Sequence, residues 1–127
     1  MRRYLTTGSA FERDFAYSRA VVQEPFCFVS GITGYDYARM TLADGIVAQA
    51  EQAFKTLSAV LDEAGFGLQD IVRVQYTLTD RDLAGDLSGV LQRWLGPVRP
   101  AATLVLAELL DPDMLIEIEV TALRSEG

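Results

Sequence analysis

The strongest pattern in the chain is helical. Ile46, Ala50, Ala53, Phe54, Leu57, Val60, Leu61 and Ala64 recur at steps of three and four. That spacing predicts an amphipathic helix over 43–64 with one apolar face. Gly65 follows as its C-terminal stop. Over 70–78 the period changes to two. Val72, Val74, Tyr76 and Leu78 face one way, and Arg73, Gln75 and Thr77 the other, which predicts a strand with one buried face. A weaker stripe of Leu83, Leu87, Val90, Leu91 and Trp94 predicts a second helix over 82–95, and Pro97 and Pro100 bracket a loop. Residues 103–109 and 115–122 read as strands around the turn Asp111-Pro112-Asp113. Upstream, 15–22 and 25–30 read as a hairpin closed by Gln23-Glu24-Pro25, with a further strand near 2–7. Residues 31–40 hold two glycines, two tyrosines and no period, and read as a loop.

The predicted order is β-β-β-α-β-α-β-β, an α/β (α+β) class domain. Both helices should cover one face of one mixed sheet, because one apolar face per strand needs covering. The opposite face carries Arg73, Glu117, Glu119 and Thr121. It is either solvated or a subunit interface with polar pockets, and the pattern alone leaves both open. Glu119 is expected to be structural, pairing with Arg73 across the sheet. Cys27, between Phe26 and Phe28, reads as a small buried hydrophobe, and Trp94 as a core residue.

Composition narrows the function classes. The 127 residues suit one domain, 1–127, and half of them are apolar, enough for a core without disulfides or a structural metal. A formal net charge of −7 and the lack of basic clusters oppose nucleic-acid binding. The chain has no histidine and one cysteine. That removes Ser-His-Asp and Cys-His nucleophile pairs and the commonest zinc ligand, so no metal and no cofactor is expected. No nucleotide-binding glycine motif is present. The first residues carry two arginines without an apolar run behind them, and no stretch approaches the ~20 apolar residues of a membrane span. A cytoplasmic protein without membrane association is expected.

Several short motifs, in order, carry more specific information. Phe28-Val29-Ser30-Gly31 follows the hairpin; Gln49-Ala50-Glu51-Gln52-Ala53-Phe54 through Ala64-Gly65 forms the first long helix; Asp70-Ile71-Val72-Arg73-Val74 opens the next strand. Arg99-Pro100-Ala101-Ala102-Thr103 and Ile116-Glu117-Ile118-Glu119 close the set. From about Tyr17 to Arg124 the chain resembles the RidA (YjgF) family. The resemblance implies a chorismate-mutase-like sandwich with a mostly antiparallel sheet. It also implies a homotrimer with a small-molecule pocket between subunits. Better-known members of that family hydrolyse reactive enamines and imines, releasing ammonia and a 2-oxo acid.

The resemblance also implies site residues. Glu117 matches a glutamate that positions the attacking water, and is the catalytic candidate; otherwise it is a polar residue on a half-solvated strand. Tyr17 and Ser30 match pocket positions, with a half-buried strand tyrosine and a strand-end cap as their structural alternatives. Ser88 falls where deaminating members carry asparagine, or is a helix-surface serine. Tyr35 and Tyr37, with Met40, lie in the loop near the pocket mouth, where two rings can stack on a flat ligand or tuck against a neighbouring subunit. The largest departure is Ala102. Deaminating members carry there an arginine that grips the substrate carboxylate as a bidentate fork. Arg99, close in sequence, reads as structural. Two function classes follow: a hydrolytic enamine or imine deaminase with altered substrate range, or a non-catalytic metabolite-binding trimer. The family's older endoribonuclease label is disfavoured by the net charge.

Overall fold

The computed structural model describes residues 1–125. Its elements are β1 (Arg3–Leu5), α1 (Ala10–Phe15), β2 (Ala20–Gln23), β3 (Phe26–Thr33), β4 (Tyr35–Asp36), β5 (Thr41–Leu42), α2 (Ile46–Ala64), β6 (Ile71–Leu78), α3 (Ala84–Leu95), β7 (Ala101–Leu106) and β8 (Ile116–Leu123). Six strands form one mixed sheet in the order β1-β2-β3-β8-β6-β7, and β4 pairs with β5 in a separate small ribbon. Only the β6–β7 pair of the six-stranded sheet is parallel; α3 supplies its crossover.

The expected mixed sheet with two helices over one face is observed, with α1 and the β4–β5 ribbon added to the expected order. Alternation in β8 buries Ile116, Ile118, Val120 and Ala122, and in β3 buries Cys27, Val29 and Ile32. Onto this face pack Ala50, Phe54, Leu57 and Leu61 of α2 and Leu87 and Val90 of α3, in one continuous core. Gly65 ends α2 in the left-handed conformation, φ +84°, its N–H reaching the carbonyls of Leu61 and Asp62. Cys27 is fully buried. Trp94 is partly buried, stacked on Phe54 at 5.4 Å, and donates its indole N–H to Glu51 Oε2.

Five expectations need correction. Residues 15–19 are not strand: α1 ends at Phe15, Ala16 caps it at φ +59°, and β2 starts at Ala20. The expected loop over 31–40 contains the end of β3 and all of β4. The strand expected over 103–109 runs instead over 101–106, because its partner β6 ends at Leu78, opposite Leu106. Val72 does not face the core. The β6–β8 register shifts between Ile71 and Arg73, and this bulge turns Val72 outward. Arg73 lies opposite Thr121 rather than Glu119 and donates to the Val74 carbonyl, while Glu119 lies opposite Gln75; no Arg73–Glu119 ion pair forms.

Large apolar side chains remain exposed on β3 and along the edge strand β7. Phe26 and Phe28 of β3 stack at 5.6 Å, both exposed. Every residue of the edge strand β7 is exposed, including Leu104, Val105 and Leu106.

Candidate functional site

A cavity of about 290 Å³ opens where α1, the end of β3 and the segment before β8 meet. Glu117, Ser30 and Gly31 form its polar side, and Phe11, Phe15, Tyr17, Tyr37, Leu110 and Met114 its apolar walls. A bulge in β3 builds the polar side. The β3–β8 register slips between Val29, opposite Val120, and Ile32, opposite Ile118, so Ser30 and Gly31 share one position of β8. Glu117 then lies across from Thr33 on one side and Thr77 on the other. Gly31 is required by proximity. A Cβ there would sit 2.5 Å from Glu117 Cδ and 2.8 Å from each carboxylate oxygen. The Ser30 hydroxyl is 3.0 Å from the carbonyls of both Ser18 and Arg19, and so fastens the bulge to the chain entering β2.

Beneath the cavity lies a fully buried arginine. Arg19 donates through Nη1 to the Gly31 carbonyl at 2.6 Å and to Ser30 Oγ at 3.3 Å, and through Nη2 to Tyr17 Oη at 3.4 Å. Its guanidinium lies over the Tyr37 ring at 4.4 Å and the Tyr17 ring at 5.5 Å. Its Nε has no hydrogen-bond partner but sits 3.6 Å from Glu12 Oε2. Glu12 in turn accepts from Thr6 Oγ1, Ser9 Oγ, and the backbone N–H and hydroxyl of Thr7. Burial alone would raise the Glu12 pKa. The Thr7 and Thr6 hydrogen bonds and the Arg19 charge outweigh it and hold the carboxyl below its ordinary value. A buried ion pair thus ties α1, which carries Phe11 and Phe15, to the Ser30-Gly31 bulge.

Glu117 shifts the other way. Burial first, then the Glu119 charge, raise its pKa above the ordinary carboxylate value, with Arg19 opposing. A carboxyl so shifted holds its proton to higher pH than a free one and is a stronger base once ionised, which suits a general base or acid. Tyr17 is also shifted upward, mainly by burial, so its phenol stays protonated and can donate a hydrogen bond.

The cavity therefore gathers Glu117, Tyr17, Ser30 and Tyr37 from the sequence candidates. Tyr37 is buried, its hydroxyl accepting from the Thr33 N–H at 2.9 Å. Tyr35 stands one layer back, stacked on Tyr37 at 6.3 Å and donating to Asp111 Oδ2 at 2.8 Å. That bond is the main cause of a Tyr35 pKa of about 12. Ser88 is on the exposed side of α3, bonded to the Gly85 carbonyl, and Ala102 is exposed on β7. Neither lines the cavity within this chain. Arg99 caps the end of α3, its N–H reaching the Leu95 carbonyl at φ +57°.

The sequence reading overlooked Arg19, Glu12 and α1. Their signal was present: Ser9-Ala10-Phe11-Glu12 has the spacing of a helix capping box, and Ser9 Oγ accepts from the Glu12 N–H. A lone arginine directly before the apolar run Ala20-Val21-Val22 was the second clue.

Residues 7–124 match the family model Endoribonuclease L-PSP. The chain belongs to that family. A RutC family protein of Aquifex aeolicus is 32% identical over 85% of this chain and 88% of its own length. A rat protein named 2-iminobutanoate/2-iminopropanoate deaminase is 30% identical over 98% of this chain and 91% of its own length. Among solved structures, a YjgF/YER057c/UK114-family protein from Mycobacterium tuberculosis superposes with a TM-score of 0.89 at 33% identity, covering 98% of this chain and all of the other. RidA from an Antarctic Psychrobacter superposes with a TM-score of 0.80 at 33% identity, covering 85% and 88%. The RidA/YjgF resemblance read from the motifs is thereby shown, fold included. No helix among the described residues is long and apolar enough to cross a membrane, and no cluster of potential metal ligands occurs among them.

Proposed function

We propose that this RidA/YjgF-family chain assembles as a homotrimer and hydrolyses an enamine or imine metabolite in a cavity shared between subunits. The observation that carries the reading is Glu117, a partly buried carboxyl with a raised pKa, facing an apolar cavity beside Ser30, Gly31 and Tyr17. In its ionised form Glu117 takes a proton from water as the water oxygen bonds the C=N carbon. In its protonated form it returns a proton to nitrogen, and ammonia leaves. Assembly rests on β7. An edge strand exposed along its whole length, with three consecutive large apolar residues, is a pairing and aggregation hazard unless covered. A second subunit seated there would carry one chain's Ala102 towards another chain's cavity.

The second reading is a trimer that binds a metabolite without turning it over. Ala102 favours it, because a methyl group cannot clamp a substrate carboxylate. Nucleic acid is not the proposed partner: at net charge −7 the chain has no electrostatic footprint for a phosphate backbone.

Two measurements test the proposal. Light scattering is expected to give three times the 14.0 kDa chain mass; a monomer at micromolar concentration would remove the shared cavity. Ammonia release from imines generated in situ by an oxidase is expected to depend on Glu117. A rate unchanged in a folded Glu117→Ala trimer contradicts the mechanism.

A further inference from the structure

Position 102 and the cavity walls bear on the same question, the charge of the ligand. We infer that the cavity selects apolar, carboxylate-free imines, bound in their cationic iminium form. The inference rests on the reading above and narrows its substrate class.

Three observations support it. First, Glu117 is the ionisable carboxyl that this chain places at the cavity surface, and among its described residues no lysine or arginine lines the cavity. An iminium N–H⁺ finds there an acceptor of opposite charge, whereas a substrate carboxylate meets a like charge and no fork of donors. Second, the nearby cation is already engaged. Arg19 is fully buried behind the cavity, its Nη atoms given to Gly31 O, Ser30 Oγ and Tyr17 Oη, and its charge facing Glu12. Releasing it toward a ligand would leave the buried Glu12 carboxylate without its counter-charge. Third, apart from Ser30, Gly31 and Thr33, which are uncharged, the remaining walls are aromatic or apolar, and the aromatic faces attract cations while the aliphatic side chains accept an apolar body. Ala102, exposed on β7, adds only a methyl group if a neighbouring subunit brings it close.

The chemistry balances without a further reactant. Water adds to the iminium carbon as Glu117 takes its proton, and the C=N π pair moves to nitrogen, giving a carbinolamine. Glu117 returns the proton to nitrogen. The C–N bond then breaks, its electron pair leaving with ammonia, while the carbinol O–H proton is released as C=O forms. An iminium ion and water become an aldehyde or ketone and ammonium.

The test compares two imines made in situ at equal flux. A flavin-dependent amine oxidase acting on benzylamine gives a carboxylate-free imine. A flavin-dependent amino-acid oxidase acting on alanine gives 2-iminopropionate. The lag before ammonia appears reports the imine lifetime. The wild-type protein is expected to shorten the benzylamine lag by about tenfold or more and the alanine lag by less than about twofold; tenfold corresponds to ~1.4 kcal/mol. Calorimetry with benzylammonium as the probe is expected to show binding that weakens about tenfold or more in Glu117→Gln. The substrate comparison needs no variant, so misfolding cannot mask it. Binding of benzylammonium without any shortened lag supports the ligand class and overturns the deaminase reading. A greater acceleration of 2-iminopropionate overturns the ligand class and leaves the deaminase reading standing. No binding and no acceleration overturns the inference.

Discussion

Arg19 and Glu117 show how two charges near one cavity are put to different uses. Arg19 is fully buried, touches the backbone of the bulge and two aromatic rings, and faces a carboxylate that four neighbouring groups hold in place. It is a positioning residue, since it reaches the cavity only through Gly31, Ser30 and the tyrosines. Removing one partner of such a pair leaves the other charge buried and uncompensated. Arg19→Met is therefore expected to cost about 3–5 kcal/mol in denaturant unfolding, and the double change with Glu12→Gln to cost clearly less than Arg19→Met alone. A loss no larger in the single variant would mean that the pair is not coupled. The two carboxyls also give opposite pH signatures. The Glu12 pKa is lowered in the fold, so its contribution is present above the ordinary carboxylate range and is lost as pH falls through the folded value. The Glu117 pKa is raised, so relative stability from this group is fullest below its unfolded pKa and declines as pH rises through the folded value. Glu117→Gln is accordingly expected to melt higher than the wild type at pH 7, with the gain shrinking as pH falls toward 4. A constant gain across that range would show that Glu117 does not titrate out of step with the unfolded chain.

At the level of elements, what the sequence made legible was regular and long. The stripe from Ile46 to Ala64 has enough turns to outvote local noise, and the alternation in 115–122 settles which face of β8 is buried. What it hid was short or defined by register. Six-residue α1 has too few positions for a helical period, and a run of Phe15, Tyr17 and Val21 resembles a strand. Its capping residues, not its periodicity, carried the information. The two bulges were invisible for a different reason: an extra residue in one strand is a property of the pair, and one strand's sequence does not mark it. The same logic explains the cavity. Glu117, Tyr17 and Ser30 were legible through motif resemblance, but Phe11, Phe15 and Leu110 come from segments with no motif. Ala16 offers a test of how α1 is held. It occupies the left-handed region at φ +59°, where an alanine is strained and glycine is not. Ala16→Gly is expected to stabilise the fold by up to ~1 kcal/mol, read as a shift in unfolding midpoint without a change in slope. A loss of stability would mean that the α1 cap is not held in that conformation.

For the whole molecule, the distribution of candidate residues is informative. Those on β3 and β8, with Tyr17 and Tyr37, converge on one cavity, while Ser88 on α3 and Ala102 on β7 stay at the surface. The proposed shared-site trimer would give this division a reason, with position 102 where one chain's edge strand meets another chain's carboxyl. The proposed deaminase site keeps its catalytic carboxyl, Glu117, and lacks its carboxylate clamp at position 102. The most direct test is 2-oxo-acid release from 2-iminopropionate by the native protein, by Ala102→Arg, and by Ala102→Arg combined with Glu117→Ala. Weak native activity is expected, with a gain of about tenfold or more on adding the arginine, because a bidentate pair both binds and orients the carboxylate, and loss of that gain in the double variant. High native activity, or no gain in a well-folded Ala102→Arg trimer, would contradict the proposed site.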